Sequence, residues 1–278
     1  MAKRALVLGG GGVTGVAWEI GMLTGLAAAG VDLTGADVVI GTSAGSVVGA
    51  LVTTGVDPQT MYADQLAPPA AEIPARLGPA TILRWTWAAA GRRDEQRARA
   101  RIGAMALAAR TVPEADRRAV IAARLHDATW PERRLLVTAV DARTGEFVVF
   151  DREQGVDLVD AVGASCAVPC VWPPVTIGGR RYVDGGVRSP VNADLAAGCD
   201  EVVILAPVTA SFAPATRIGR QIAGLGAKVA LIEPDKAAKR AFGRNVLDPA
   251  RRAPAARAGH AQAAQEAARV TAAWSAAA

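Results

Sequence analysis

Residues 4–53 read RALVLGGGGVTGVAWEIGMLTGLAAAGVDLTGADVVIGTSAGSVVGALVT. Arg4 to Leu8 is a short apolar run stopped by Gly9-Gly10-Gly11-Gly12, the pattern of a buried strand breaking into a tight loop. Gly15 to Ala29 then reads as a helix. Asp37 to Ile40 is a second short apolar run, halted by Gly41, and Ser43 to Thr54 sets Val47, Val48, Ala50 and Leu51 at helical spacing. Strand, glycine loop, helix, strand, glycine turn, helix: this order predicts a parallel sheet with right-handed crossovers. The expected fold class is α/β, a three-layer sandwich around a mainly parallel sheet with a helical insertion.

Outward from this stretch, Pro58 to about Arg124 is helical and connective, broken at Pro68-Pro69, Pro74, Pro79 and Pro113, and reads as an inserted cap over about 58–125. Strand signals return at Arg134 to Ala139 and Glu146 to Asp151, with a glycine turn between them that favours a hairpin. Further strands are expected at Val175 to Ile177, Arg181 to Val183 and Glu201 to Ala206, and a helix over Ala255 to Trp274. No linker or internal repeat divides the chain. One catalytic domain over 4–207 is expected, with C-terminal helices in 208–278 packed on it.

Hydrophobic residues make up 51% of the 278 residues, and with aromatics at only 4% alanine-rich helices are expected to do much of the packing. The net charge of +5 comes without a helix-turn-helix, zinc-finger or RNP-like pattern, so no nucleic-acid partner is expected. Cys166, Cys170 and Cys199 are odd in number and lack metal-type pairing, and they read as reduced thiols; no metal is expected. Ala2-Lys3-Arg4 runs straight into the first apolar stretch with no signal-type segment, and no stretch is long and charge-free enough to span a bilayer. A cytoplasmic protein, peripheral at most to a membrane, is the expectation.

Gly41-Thr42-Ser43-Ala44-Gly45 matches G-x-S-x-G between an apolar strand and a helix, the context of a nucleophile elbow. A serine on so sharp a turn is strained, and its neighbours two residues away must be small; Gly41 and Gly45 meet that demand. The competing reading of Ser43 is an ordinary helix N-cap. Gly10 to Gly15 also fits G-x-G-x-x-G, a dinucleotide fingerprint. That reading wants an acid at the end of the second strand, where Gly41 and Ser43 stand instead. In an acyl hydrolase the backbone N–H groups of Gly10, Gly11 and Gly12 would instead point together at a developing oxyanion, near Ser43 at the same sheet edge. Tyr182-Val183-Asp184-Gly185-Gly186 ends another strand with a carboxylate able to reach that edge.

Together, GGGVTG at Gly10 to Gly15, GTSAG at Gly41 to Gly45 and DGG at Asp184 to Gly186 resemble the patatin-like phospholipases. Ala164-Ser165 with Pro169 and Pro173-Pro174 is similar to that family's Ala-Ser…Pro stretch, and the resemblance covers roughly residues 4 to 207. It implies a patatin-like α/β fold, no cofactor, and a Ser-Asp dyad with Ser43 as nucleophile, Asp184 as proton acceptor and Gly10 to Gly12 as the oxyanion loop. Burial would raise the proton affinity of such a carboxylate, and its removal of the serine proton need only accompany attack. The expected reaction is hydrolysis of lipid acyl esters through an acyl-enzyme, against two alternatives: a dinucleotide-binding oxidoreductase and a non-catalytic lipid-binding relative.

The chain departs from the plant members' Asp-Gly-Gly-Gly-x-Arg-Gly, with Gly9 before the glycines and Thr14 where Arg or Lys often stands. Thr14 offers no cation to an anionic head group, so a generic lipid or short acyl ester is expected over a phospholipid. His260 follows Ser43 and Asp184 in α/β-hydrolase triad order, but Ser43 comes too early for that fold; His260 reads as a solvated or partly packed residue of the C-terminal helix, and His126, after the helix near Val120, as a surface residue. Finally, Trp85 and Trp87 precede Arg92, Arg93, Arg97, Arg99 and Arg101, and with Arg84 make six arginines against Asp94 and Glu95. Tryptophan favours the membrane interface and clustered arginine favours anionic lipid, so one reading has Thr81 to Arg101 over or beside the Ser43 pocket and facing membrane; the competing reading is a solvated helix with its tryptophans in the core.

Overall fold

The two apolar runs of residues 4–53 form the centre of one sheet. In the computed structural model, which describes residues 2–68, 72–89, 94–126, 129–211 and 213–274, the chain begins with β1 (Arg4–Leu8), α1 (Gly12–Ala28), β2 (Val38–Gly41) and α2 (Ala44–Thr53). The cap region holds α3 (Pro58–Leu66), α4 (Pro79–Ala89), α5 (Glu95–Ala108) and α6 (Glu114–Arg124). Then come β3 (Arg134–Asp141), β4 (Phe147–Phe150), α7 (Leu158–Ser165), β5 (Val175–Ile177), β6 (Arg180–Asp184) and β7 (Glu201–Leu205). The chain closes with α8 (Ile218–Ala223), β8 (Lys228–Ile232), α9 (Lys236–Phe242) and α10 (Arg252–Ala273). Pro69, Arg92 and Arg93 lie outside the described residues.

The strand order is β5-β6-β3-β2-β1-β7-β8, with β4 paired to β3 as a hairpin. Five strands from β3 to β8 run parallel, and β4, β5 and β6 supply the antiparallel edge. Leu6 and Leu8 pack with α1, α2, α7 and α10, whereas Ala5 and Val7 face the 191–199 segment and α8. Both faces of β1 are therefore covered, which is why its sequence is continuously apolar rather than alternating. The result is a mixed α/β sandwich of three layers.

Small residues set the helical layer. A methyl at Gly21 would strike the Ala256 carbonyl, and one at Gly259 would strike the Trp18 carbonyl, so α1 and α10 meet almost backbone to backbone. This accounts for the alanine and glycine content of both helices.

Several boundaries differ from the sequence-based expectations. The first helix starts at Gly12 rather than Gly15, because Gly12 at φ +60° turns the chain directly into it. The second begins after Ser43, the second strand runs Val38–Gly41, and the last helix starts at Arg252. Residues 208–278 are not helices alone, since β8 extends the sheet beside β7. α7 is an addition as well; the Asp157 carboxylate caps it by accepting from the Val159 amide at 2.8 Å. Pro58 and Pro79 open helices rather than merely interrupting them. Gly21→Val is expected to force α1 and α10 apart and destabilise the protein by roughly 2 kcal/mol or more. Thermal unfolding should show a midpoint lowered by about 5 °C; an unchanged midpoint would contradict this packing.

Candidate active site

Ser43 sits between β2 and α2 at φ 52°, ψ −114°, a left-handed backbone that costs a non-glycine residue roughly 1–3 kcal/mol. Its surroundings hold the strain at both backbone polar groups. The Ser43 amide donates to Ser165 Oγ at 2.9 Å, and its carbonyl accepts from Ser46 Oγ at 2.7 Å and from Cys166 Sγ at 3.3 Å. The flanking glycines are sterically required: a methyl at Gly45 would collide with the Leu8 carbonyl, and one at Gly41 would come within 2.5 Å of Ser46 Cα. Ser43 occupies the N-cap position of α2 but makes no side-chain capping bond, so the ordinary N-cap reading fails. Its hydroxyl instead faces the Asp184 carboxylate.

Asp184 ends β6, and its amide donates to the Ala167 carbonyl at 3.0 Å. The carboxyl is buried, and burial pushes it up to about 7, opposed by the Ser43 hydroxyl and the Gly186 amide. The latter donates to Oδ1 at 2.7 Å. Gly185 packs against Thr138 so closely that a methyl would overlap its Oγ1.

The glycine loop lies alongside. A methyl on Gly10 would be 3.5 Å from Ser43 Cβ, and one on Gly15 would be 3.2 Å from Ala44 Cβ. Gly10, however, donates its amide to the Pro190 carbonyl at 2.7 Å, so it is not a free oxyanion donor. Among the described residues the amides of Gly11, Gly12 and Ala44 form no hydrogen bond. Thr14, where the family often has a cation, is buried and bridges the Gly11 and Val246 carbonyls at 3.3 and 3.4 Å.

Ser43, Asp184, Gly10, Gly11, Gly12 and Gly186 line one cavity of about 510 Å³. Its walls are Leu77, Ile82, Trp85 and Ile102 from the cap region, Val168 and Pro169, and Val208, Val246 and Leu247 from beyond β7. Asp184 is the only ionisable side chain among the described lining residues. His260 lies elsewhere, on α10 against the Tyr62 ring at 5.2 Å, and half-exposed His126 bonds Asp64 at 2.9 Å. Cys166 and Cys199 are buried and Cys170 is half-buried, all as free thiols. Among the described residues no group of three His, Cys, Asp or Glu side chains is arranged to hold a metal.

Four residues outside the sequence-based assignment tie the site together. Thr42 and Thr138 hydroxyls lie 2.9 Å apart, and buried Asn192 donates Nδ2 to Thr42 Oγ1 at 3.0 Å and to the Ser189 carbonyl at 3.1 Å. Asn192 thus joins the elbow to the 189–192 loop, whose Pro190 carbonyl holds Gly10. Ser165 is the fourth, and its signal was present in the Ala-Ser…Pro stretch. Asn192 gave no signal, because its partner Thr42 is 150 positions away.

The family model for patatin-like phospholipases matches residues 6–197. The chain belongs to the patatin-like phospholipase family. That family comprises lipid acyl-ester hydrolases, and the matched span contains Ser43, Asp184, the glycine loop and Asn192. No curated protein sequence matches the chain. Among solved structures it is similar to VipD from Legionella pneumophila, with 12% identity and a TM-score of 0.48, covering 96% of this chain and 67% of VipD. It is also similar to the type III effector protein ExoU, with 19% identity and a TM-score of 0.40, covering 96% of this chain and 53% of ExoU. The chain therefore spans about two thirds and about half of the length of these two proteins.

If Asn192 positions the patatin-like site as this network indicates, Asn192→Ala should lower kcat for a soluble ester by about tenfold or more with little change in KM. Circular dichroism should stay unchanged. Equal kcat in the folded variant would remove Asn192 from the site's support.

Proposed function

We propose that the chain is a serine acyl-ester hydrolase that cleaves uncharged lipid acyl esters through a Ser43–Asp184 dyad and an acyl-enzyme. The observation that carries this is the desolvated Asp184 carboxyl facing the Ser43 hydroxyl in an apolar cavity. An aspartate in water is too weak a base at neutral pH, but one raised to about 7 is near half ionisation there, close to the optimum for general-base work.

In this reading Ser43 Oγ attacks the ester carbonyl carbon while its proton passes to Asp184. The carbonyl oxygen gains the charge and takes donors from Gly11, Gly12 and Ala44, the last being the residue after the nucleophile. Collapse expels the alcohol, which leaves with the proton from Asp184. Water then attacks the acyl-Ser43 carbonyl, giving its proton to Asp184, and the acid departs as Ser43 recovers its hydrogen. No His enters any step.

The apolar lining, with no cation among its described residues, favours an acyl chain over an anionic head group. The dinucleotide alternative finds no support, since Gly41, Thr42 and Ser43 follow β2 where the ribose carboxylate would stand. The same proposal takes 4–207 as the catalytic unit, 58–125 as its cap and 208–278 as packed on it. It takes the protein as cytoplasmic, with no nucleic-acid partner.

A panel of p-nitrophenyl esters of increasing chain length, with phospholipids alongside, tests the proposal. Ser43→Ala should lose roughly 10⁴-fold or more in kcat, and Asp184→Asn roughly 10²- to 10⁴-fold. His260→Ala should retain wild-type rates. Turnover persisting in Ser43→Ala, or a His260→Ala loss matching that of Asp184→Asn, would defeat the dyad; wild-type inactivity on every ester would leave the non-catalytic relative.

A further inference from the structure

Among the described residues the exposed large apolar side chains are Ile82, Leu83 and Trp87, and all three belong to α4. Leu83 is 70% and Trp87 81% exposed. Four positions apart, they form one stripe on the helix surface. The opposite face is used differently: Trp85 is 7% exposed and packs with Ala88, Ile102 and Ala106 over Val140 and Val183. Ile82, Trp85 and Thr86 line the cavity that contains Ser43. α4 is thus apolar on two sides, one closing the catalytic cavity and one open to solvent. This corrects the sequence-based pairing of Trp85 with Trp87 as a single lipid-facing unit, because residues two apart on a helix point to different faces.

Exposed cations lie on both helices of this region. Arg84 is exposed on α4 itself, and Arg101 is exposed on the neighbouring α5. Arg97, also exposed, spends part of its charge on Asp94 at 3.1 Å. An exposed indole and leucine on a helix that also carries Arg84, which forms no ion pair among the described residues, fit the boundary between acyl chains and anionic head groups. Among the described residues no helix is long and apolar enough to cross a membrane, so contact through α4 would be at the surface.

We infer that α4 docks on an anionic lipid surface through Leu83 and Trp87, with Arg84 and Arg101 against the head groups. Docking there sets the mouth of the cavity, walled by Ile82 and Trp85 of the same helix, against the acyl esters of that surface. The delivery step rests on the acyl-hydrolase proposal; the docking does not.

The test is co-sedimentation with vesicles of neutral phosphatidylcholine, with and without anionic phosphatidylglycerol, for wild type, Ser43→Ala and the double variant L83S/W87S. Wild type and Ser43→Ala should both bind the anionic vesicles, and binding should weaken with added salt, since exposed charges are screened within about 10 Å at 0.1 M. L83S/W87S should lose binding by about tenfold or more while cleaving a soluble short-chain ester at the wild-type rate, because neither residue lines the cavity. Binding by Ser43→Ala in a protein whose wild type cleaves no ester would keep the docking and reject the hydrolase reading. Absence of binding by wild type, or undiminished binding by L83S/W87S, would overturn the docking. A wild-type dimer that L83S/W87S breaks, without vesicle binding, would overturn it in favour of a second copy of the chain.

Discussion

The site depends on one constraint: a carboxylate kept out of water beside a serine hydroxyl. Raising Asp184 from its ordinary value to about 7 corresponds to a penalty on the order of 4 kcal/mol against its ionisation. That is a net figure: the Ser43 hydroxyl and the Gly186 amide at 2.7 Å already offset part of a larger desolvation cost. The arrangement is self-consistent with the proposed dyad, since the group that most stabilises the charged carboxylate is the group whose proton it would take. It also has a thermodynamic sign. With its folded pKa above the unfolded value, Asp184 withdraws stability as pH rises from about 4 to about 7, so the rest of the fold must carry that cost.

The fold carries it through close approach. β1 and β2 end side by side, so the loops following them meet, and the elbow is admitted only because Gly41 and Gly45 let α2 start against the Leu8 backbone. Strain at Ser43 is then held from below by Ser46, Ser165 and Cys166. Asn192, at φ 49° in the left-handed region, links the elbow to the loop that anchors Gly10. Buried polar networks of this kind are costly when half satisfied, and here Asn192 is bonded at both ends: its Oδ1 accepts from Arg188 at 2.7 Å.

Much of this was legible in the sequence wherever a local rule acts alone. The continuous runs at Arg4–Leu8 and Val38–Gly41 announce strands covered on both faces, and the motif glycines announce contacts that exclude a methyl. Legibility fails where the cause lies far along the chain. β8 (KVALI) is a short stretch with little pattern, and it becomes a strand by pairing with β7. α7 is buried nearly all round, so it shows no periodic stripe. The glycine loop lies beside Ser43, but the Pro190 carbonyl that takes the Gly10 amide is 180 residues away in sequence and leaves no local trace.

The central claim is that desolvated Asp184 activates Ser43, and the most direct measurement is the pH dependence of covalent labelling by a fluorophosphonate, with the adduct located by peptide mass spectrometry. The account predicts a single adduct on Ser43, formed at a rate that climbs with pH through a midpoint of about 7, with the climb abolished in Asp184→Asn. An adduct on another residue, or a rate on Ser43 that ignores both pH and Asp184→Asn, would contradict it.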